Sequence, residues 1–133
     1  MKIIALDYGS ARTGVAVSDP TGTLARPIGV IEHAGTEAGL ERLVDLIAAE
    51  GAERVIVGMP LTLRGERGEQ AVETERFVET LRGAVDVPVE GFDERFTTDL
   101  AERDPGGRNL PADARAAAHL LTSYLAWSSR DEE

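Results

Sequence analysis

A chain of 133 residues with 42% hydrophobic content has the length and apolar share of a single domain with a buried core, and residues 1–133 are expected to form one. It contains no cysteine, which excludes disulfides and thiolate-bound zinc. Its net charge of −10 excludes a uniformly basic nucleic-acid-binding surface.

The first element is the apolar run Ile3 to Leu6, which ends at Asp7. A loop holding Gly9 and Gly14 follows, and Val15 to Val17 forms a second short apolar run, so the pattern predicts two strands joined by a turn. A carboxylate at the end of a buried strand is unfavourable unless hydrogen bonds, a cation or a metal offset its charge; a turn-capping Asp is the plainer alternative. Asp19-Pro20 and Thr21-Gly22-Thr23 form a turn, with Asp19 as a turn acid, and Arg26 to Glu32 is a third strand. Three strands with short links predict an antiparallel meander.

From Thr36 to Glu50 the apolar residues Leu40, Leu43, Val44 and Ile47 recur at helical spacing, with Thr36 as the N-cap and Gly51 as the stop. Arg54 to Pro60 reads as a buried strand parallel to the first. Leu61 to Glu69 is a polar, glycine-containing loop, and a second helix is expected over Glu69 to Arg82 with Gly83 at its end. A fifth strand, Asp86 to Phe92, leads into Asp93-Glu94-Arg95 and then a short helix over Asp99 to Arg103. Asp104 to Asn109 is a Gly- and Pro-rich loop. A last helix begins near Pro111, with Ala114, Ala117, Leu121 and Tyr124 or Leu125 inward and a polar tail that frays from Ser128. The expected fold is α/β: a five-stranded mixed sheet, a meander of three strands plus two crossover strands, with helices on both faces.

Three carboxylates occupy positions where such folds gather function. Asp7 ends the first strand, Glu94 follows the fifth, and Asp113 lies in the first turn of the last helix. Brought together they repel one another unless they bind cations. All-oxygen ligand sets select hard ions, Mg²⁺ or Mn²⁺, and a pair of such ions about 4 Å apart hydrolyses phosphodiesters. Each acid also has a structural alternative: Asp113 as a helix-dipole partner, Glu94 in a local ion pair with Arg95, and Asp93 as Glu94's rival for facing the metal. His119 reads as a packing residue and His33 as a loop residue. Every basic side chain except Lys2 is arginine, and Arg12, Arg64, Arg67, Arg95 and Arg108 fall in or beside loops, where their forks suit phosphate.

These residues carry a family resemblance. Leu6-Asp7-Tyr8-Gly9 through Arg12-Thr13-Gly14 to Ser18-Asp19, Val57-Gly58-Met59-Pro60-Leu61, Asp93-Glu94-Arg95-Phe96-Thr97-Thr98 and Asp113-Ala114-Arg115-Ala116-Ala117 with Leu120-Leu121 and Tyr124-Leu125 occur in order. Together they resemble the YqgF family of RuvC-like nucleases, which has an RNase H-like fold and is also described as Holliday junction resolvases. Met59 stands where that family more often has Leu, and Asp104 to Pro111 departs from it in being poor in lysine.

The resemblance implies Asp7, Glu94 and Asp113 as catalytic metal ligands for Mg²⁺ or Mn²⁺, with Arg12, Arg64, Arg67 and Arg95 on the nucleic acid. It implies trimming of the 5′ end of small-subunit rRNA precursors, with cleavage of branched DNA as the older assignment. RuvC-type resolvases act as dimers, so a homodimer is an expectation by resemblance, although no apolar stripe in the sequence demands one. The absence of a signal-like or membrane-length apolar run sets the expectation of a cytoplasmic protein. Two further classes compete. The Asp7 to Gly14 turn also resembles the phosphate loop of sugar kinases and actin-like ATPases, which need two lobes. A non-catalytic nucleic-acid-binding module fits the acidity but gains nothing from clustered carboxylates.

Overall fold

In the computed structural model, residues 1–60, 68–94 and 111–130 are described. Residues 61–67 of the expected Leu61 to Glu69 loop, the short helix over Asp99 to Arg103, the Asp104 to Asn109 loop, and Arg64, Arg67, Arg95 and Arg108 lie outside them.

Five strands, β1 (Ile3–Asp7), β2 (Arg12–Ser18), β3 (Ala25–Glu32), β4 (Arg54–Met59) and β5 (Val89–Asp93), form one sheet in the order β3-β2-β1-β4-β5. The first three pair antiparallel, and β4 and β5 add in parallel beside β1, which gives the expected mixed sheet. Pro27 lies in β3, an edge strand, where a missing backbone donor is tolerated.

The central strands are apolar on both faces because helices cover both. Ile4, Leu6, Val15, Val17, Val55 and Val57 face α1 (Glu37–Glu50) and α2 (Glu69–Ala84), meeting Leu43, Ile47, Phe77 and Leu81. Ile3, Ala5, Ala16 and Ile56 face the opposite way, onto Ala117, Leu120 and Leu121 of α3 (Ala112–Arg130). Small side chains on both partners of this second layer let α3 lie close against the sheet.

Helix α1 follows its sequence signals. Thr36 Oγ1 accepts from Gly39 N–H at 3.1 Å, and Gly51 closes the helix at φ 65°, a conformation open to glycine at little cost.

Several boundaries differ from expectation. β2 starts at Arg12 rather than Val15, so Gly14 lies inside the strand, paired with Asp7, and not in the turn. β5 starts at Val89 rather than Asp86; Pro88 has no N–H to give a ladder, and its carbonyl instead accepts from Val55 N–H. α2 passes through Gly83 to Ala84 and is capped by extended Val85, whose N–H bonds the Leu81 carbonyl, so no left-handed stop is used. α3 remains helical to Arg130 rather than fraying from Ser128, whose hydroxyl donates to the Leu125 carbonyl. No helix among the described residues is long and apolar enough to cross a membrane.

Candidate active site

The C-terminal ends of the parallel strands β1, β4 and β5 lie on one edge of the sheet, where side chains escape the packed layers. Asp7 is the last residue of β1, and Glu94 is the first residue beyond β5. Their carboxyl groups are hydrogen-bonded to each other. Two carboxylates can do this only if one keeps its proton, and Glu94 is the holder: its O–H donates and Asp7 accepts. Burial first, and then the Asp7 charge, push the Glu94 pKa up to about 7. Asp7 is also raised, mainly by burial and then by the charge of Asp113, while the bond from Glu94 partly offsets both.

Glu94, rather than Asp93, lines the cleft with Asp7. The cleft has a volume of about 180 Å³. Tyr8, Gly9 and Ser10 form one wall, and Pro60 with Gln70, Glu73 and Thr74 of α2 the other. The α2 wall was not legible in the sequence, where Gln70 and Glu73 look like an ordinary solvated helix face.

Asp113 stands at the start of α3, close enough to raise Asp7, but its Oδ2 pairs with Arg12 Nε at 3.3 Å. Arg12 is well exposed and the pair is only weakly stabilising, so either partner can be released. The three acids therefore divide into a proton-sharing pair and a neighbour held by an arginine. Among the described residues, no group of three or more His, Asp or Glu side chains is arranged to hold a metal ion as it stands.

Asp19 is a turn acid, as expected. Its carboxylate accepts from Thr23 N–H at 2.7 Å, Leu24 N–H at 2.9 Å and the Thr21 hydroxyl, which hold its pKa well below the usual range. His119 is buried within α3 and His33 lies in the turn after β3. Of the expected phosphate contacts, Arg12 alone falls within the described residues.

Absent side chains on the strands beside β1 create the space for this arrangement. Gly14 of β2 pairs directly with Asp7, and a Cβ there would lie 1.8 Å from the Asp113 carbonyl oxygen. Gly58 of β4 does the same for the second acid, since a Cβ there would lie 2.7 Å from Glu94 Oε1 and 3.1 Å from Leu120 Cδ2. The far end of Glu94 can swing away from such a methyl, so Gly58→Ala is expected to leave the melting temperature within a few degrees while displacing the carboxyl from Asp7. Gly91→Ala is the matched control, because its Cβ would meet a flexible Met59 side chain at 2.8 Å. Carboxyl titration by NMR should show the elevated Glu94 pKa lost in the first variant and kept in the second.

The sequence profile described as "RuvX: Holliday junction resolvase" matches residues 1–127. This chain belongs to the RuvX family. A protein of Chloroflexus aurantiacus named "Putative pre-16S rRNA nuclease" is 42% identical over 130 residues, spanning 92% of this chain and 85% of the relative. One of the same name from a Sulfurihydrogenibium species is 39% identical, spanning 93% and 89%. Among solved structures, Thermus thermophilus RuvC in complex with a Holliday junction substrate superposes with a TM-score of 0.67 at 17% identity, covering 98% of this chain and 96% of that one. That likeness shows the RuvC-type, RNase H-like fold for this RuvX-family chain.

The raised Glu94 pKa has a consequence for stability. Between its ordinary 4.5 and about 7 the folded protein holds a proton that the unfolded chain has released. Stability in the absence of divalent ions should therefore fall as pH rises through that window, by on the order of 1 kcal/mol after allowance for solvent screening. Thermal melts in chelator should show this decline, Glu94→Gln should flatten it, and Mg²⁺ should restore stability at the alkaline end.

Proposed function

We propose that this chain is a divalent-ion-dependent nuclease that processes the 5′ end of pre-16S rRNA in the cytoplasm, with Asp7, Glu94 and Asp113 holding Mg²⁺ or Mn²⁺. The observation that carries this reading is the Asp7–Glu94 hydrogen bond at the floor of an open cleft, with Asp113 beside it. Carboxyl groups so close are strained when both are ionised and are relieved by a hard cation, and their oxygen-only donor set suits Mg²⁺ or Mn²⁺. The names of the relatives support the substrate.

Bound there as a pair, such ions supply an acidified water and neutralise charge on the phosphate. The chain's own groups do the rest. Asp7 is fixed by its strand and the Gly14 pairing. Glu94 would hold the ion in its ionised form, so affinity should rise with pH toward 7 and above. Asp113, paired with Arg12 here, would be the third residue to hold the ion, and Arg12 would then be available to a phosphate oxygen. By the family resemblance, Arg64, Arg67 and Arg95 are proposed as further nucleic-acid contacts.

The family description favours a second reading, cleavage of a four-way DNA junction, which requires two active sites and hence a homodimer. Labelled precursor rRNA and a labelled four-way junction, each with Mg²⁺ or Mn²⁺, separate the two. Cleavage of the RNA near its 5′ end is expected. Junction cleavage without RNA cleavage, by a species sedimenting as a dimer, would transfer the assignment, and inactivity on both would end it.

A further inference from the structure

Beyond Asp7 the carboxylate cleft continues into a second one. Tyr8 and Glu73 line both. The neighbouring cleft has a volume of about 200 Å³ and is completed by Gly35, Arg76, Phe77 and Thr80. Its aromatic wall is built to stay in place. Tyr8 stacks on Phe77 with ring centroids 4.3 Å apart at 21°, and Phe77 is buried in the core. The Tyr8 hydroxyl lies over Gly35, where a Cβ would come within 2.9 Å of it.

The two charged residues of this wall are uncommitted. Arg76 and Glu73 are one helical turn apart on α2, both exposed, and neither forms an ion pair among the described residues, not even with the other. An exposed guanidinium fork beside an aromatic ring matches a phosphate and its attached nucleoside. A carboxylate in the same path is unfavourable for phosphate, because it accepts hydrogen bonds and donates none. It suits a donor on the strand, and of the base N–H groups and the ribose 2′-hydroxyl only the hydroxyl adjoins the phosphate that Arg76 would hold and is missing from DNA.

We propose that Tyr8, Glu73 and Arg76 form a subsite for the ribonucleotide adjoining the scissile phosphate, with Arg76 on its phosphate, Tyr8 against its nucleoside and Glu73 accepting from its 2′-hydroxyl. The inference rests on the nuclease reading above and assigns to it a source of discrimination for RNA over DNA. None of the three residues is among the ion ligands proposed above. Tyr8 and Glu73 are shared by the two clefts, so a strand that passes from the catalytic acids to Arg76 passes them.

The test uses the full chain and RNA oligonucleotides that carry a single 2′-deoxy substitution, moved one position at a time around the cleavage site. Binding is measured in Ca²⁺ and cleavage in Mg²⁺. One deoxy position should weaken wild-type binding and kcat/KM several-fold. In Glu73→Ala that penalty should vanish, with all-ribose and singly deoxy substrates becoming equal, and Glu73→Gln, which keeps an acceptor oxygen, should retain part of it. Arg76→Ala should raise KM with kcat little changed and lower the salt slope of binding by about one. A deoxy penalty that persists unchanged in Glu73→Ala, or an Arg76→Ala variant with wild-type KM and salt slope, would overturn the subsite while leaving the nuclease reading intact. A wild type that binds RNA in Ca²⁺ with the deoxy penalty but cleaves nothing would retain the subsite and remove the nuclease reading.

Discussion

Asp7→Asn is expected to reduce cleavage by on the order of 10³-fold or more and, at the same time, to raise the melting temperature of the divalent-free protein. Both effects have one origin. Asp7 is a partly buried acid held against Glu94 and in the field of Asp113, and its pKa is raised because its charge is poorly accommodated. The amide removes that charge while keeping the shape and an acceptor for the Glu94 hydroxyl. The gain should be roughly 1 kcal/mol, a few degrees in Tm for a chain of this size. Mg²⁺ should then stabilise wild type clearly and the variant little. Paired melts with chelator and with Mg²⁺, together with single-turnover cleavage, check all three. A variant that melts lower in chelator would show that Asp7 is held by favourable contacts and is not a strained metal ligand.

Gly14→Ala is expected to be severely damaging for the addition of a single methyl. Its Cβ would fall 1.8 Å from the backbone carbonyl of Asp113, and a carbonyl inside the first turn of a 19-residue helix cannot rotate away as a side-chain tip can. The start of α3 must retreat by more than an ångström from β2. Overpacking of this kind costs about 1–3 kcal/mol, and a misplacement of about an ångström costs on the order of 10² in rate. The substitution should therefore lower Tm, cut kcat at unchanged KM and raise the Mg²⁺ concentration needed for half-maximal rate. The last effect separates loss of Asp113's position from simple loss of fold. If Gly14→Ala does not fold, Asp113→Asn supplies the same kinetic readout without the steric change. Wild-type kcat and metal requirement in either variant would exclude Asp113 from the site.

The two glycine sites differ in what the added methyl strikes. At Gly58 it meets the end of the Glu94 side chain, at Gly14 a helix backbone. The first moves a functional group and the second moves an element. This predicts a small stability change with a lost pKa shift at Gly58, against a large change in both stability and rate at Gly14.

Local chemistry, read from the sequence, determined most of the scaffold. Alternating apolar runs, Thr36 and Gly51 at the ends of α1, and the Ala114, Ala117, Leu121 stripe of α3 each specify an element through contacts within a few residues of themselves. The positions of Asp7, Glu94 and Asp113 at strand ends and a helix start were legible for the same reason. Tertiary structure alone decided how those acids meet, because proton sharing between Asp7 and Glu94 depends on burial, and the Arg12–Asp113 pair on β2 lying beside α3. It also decided that Glu94 and not Asp93 enters the cleft, that Gly14 and Gly58 are vacancies shaped for other residues, and that Glu73 and Arg76 border a cleft rather than open solvent. No pattern along the chain encodes these, since each is a distance between segments separated by tens of residues, set by the register of the sheet and the approach of the helices.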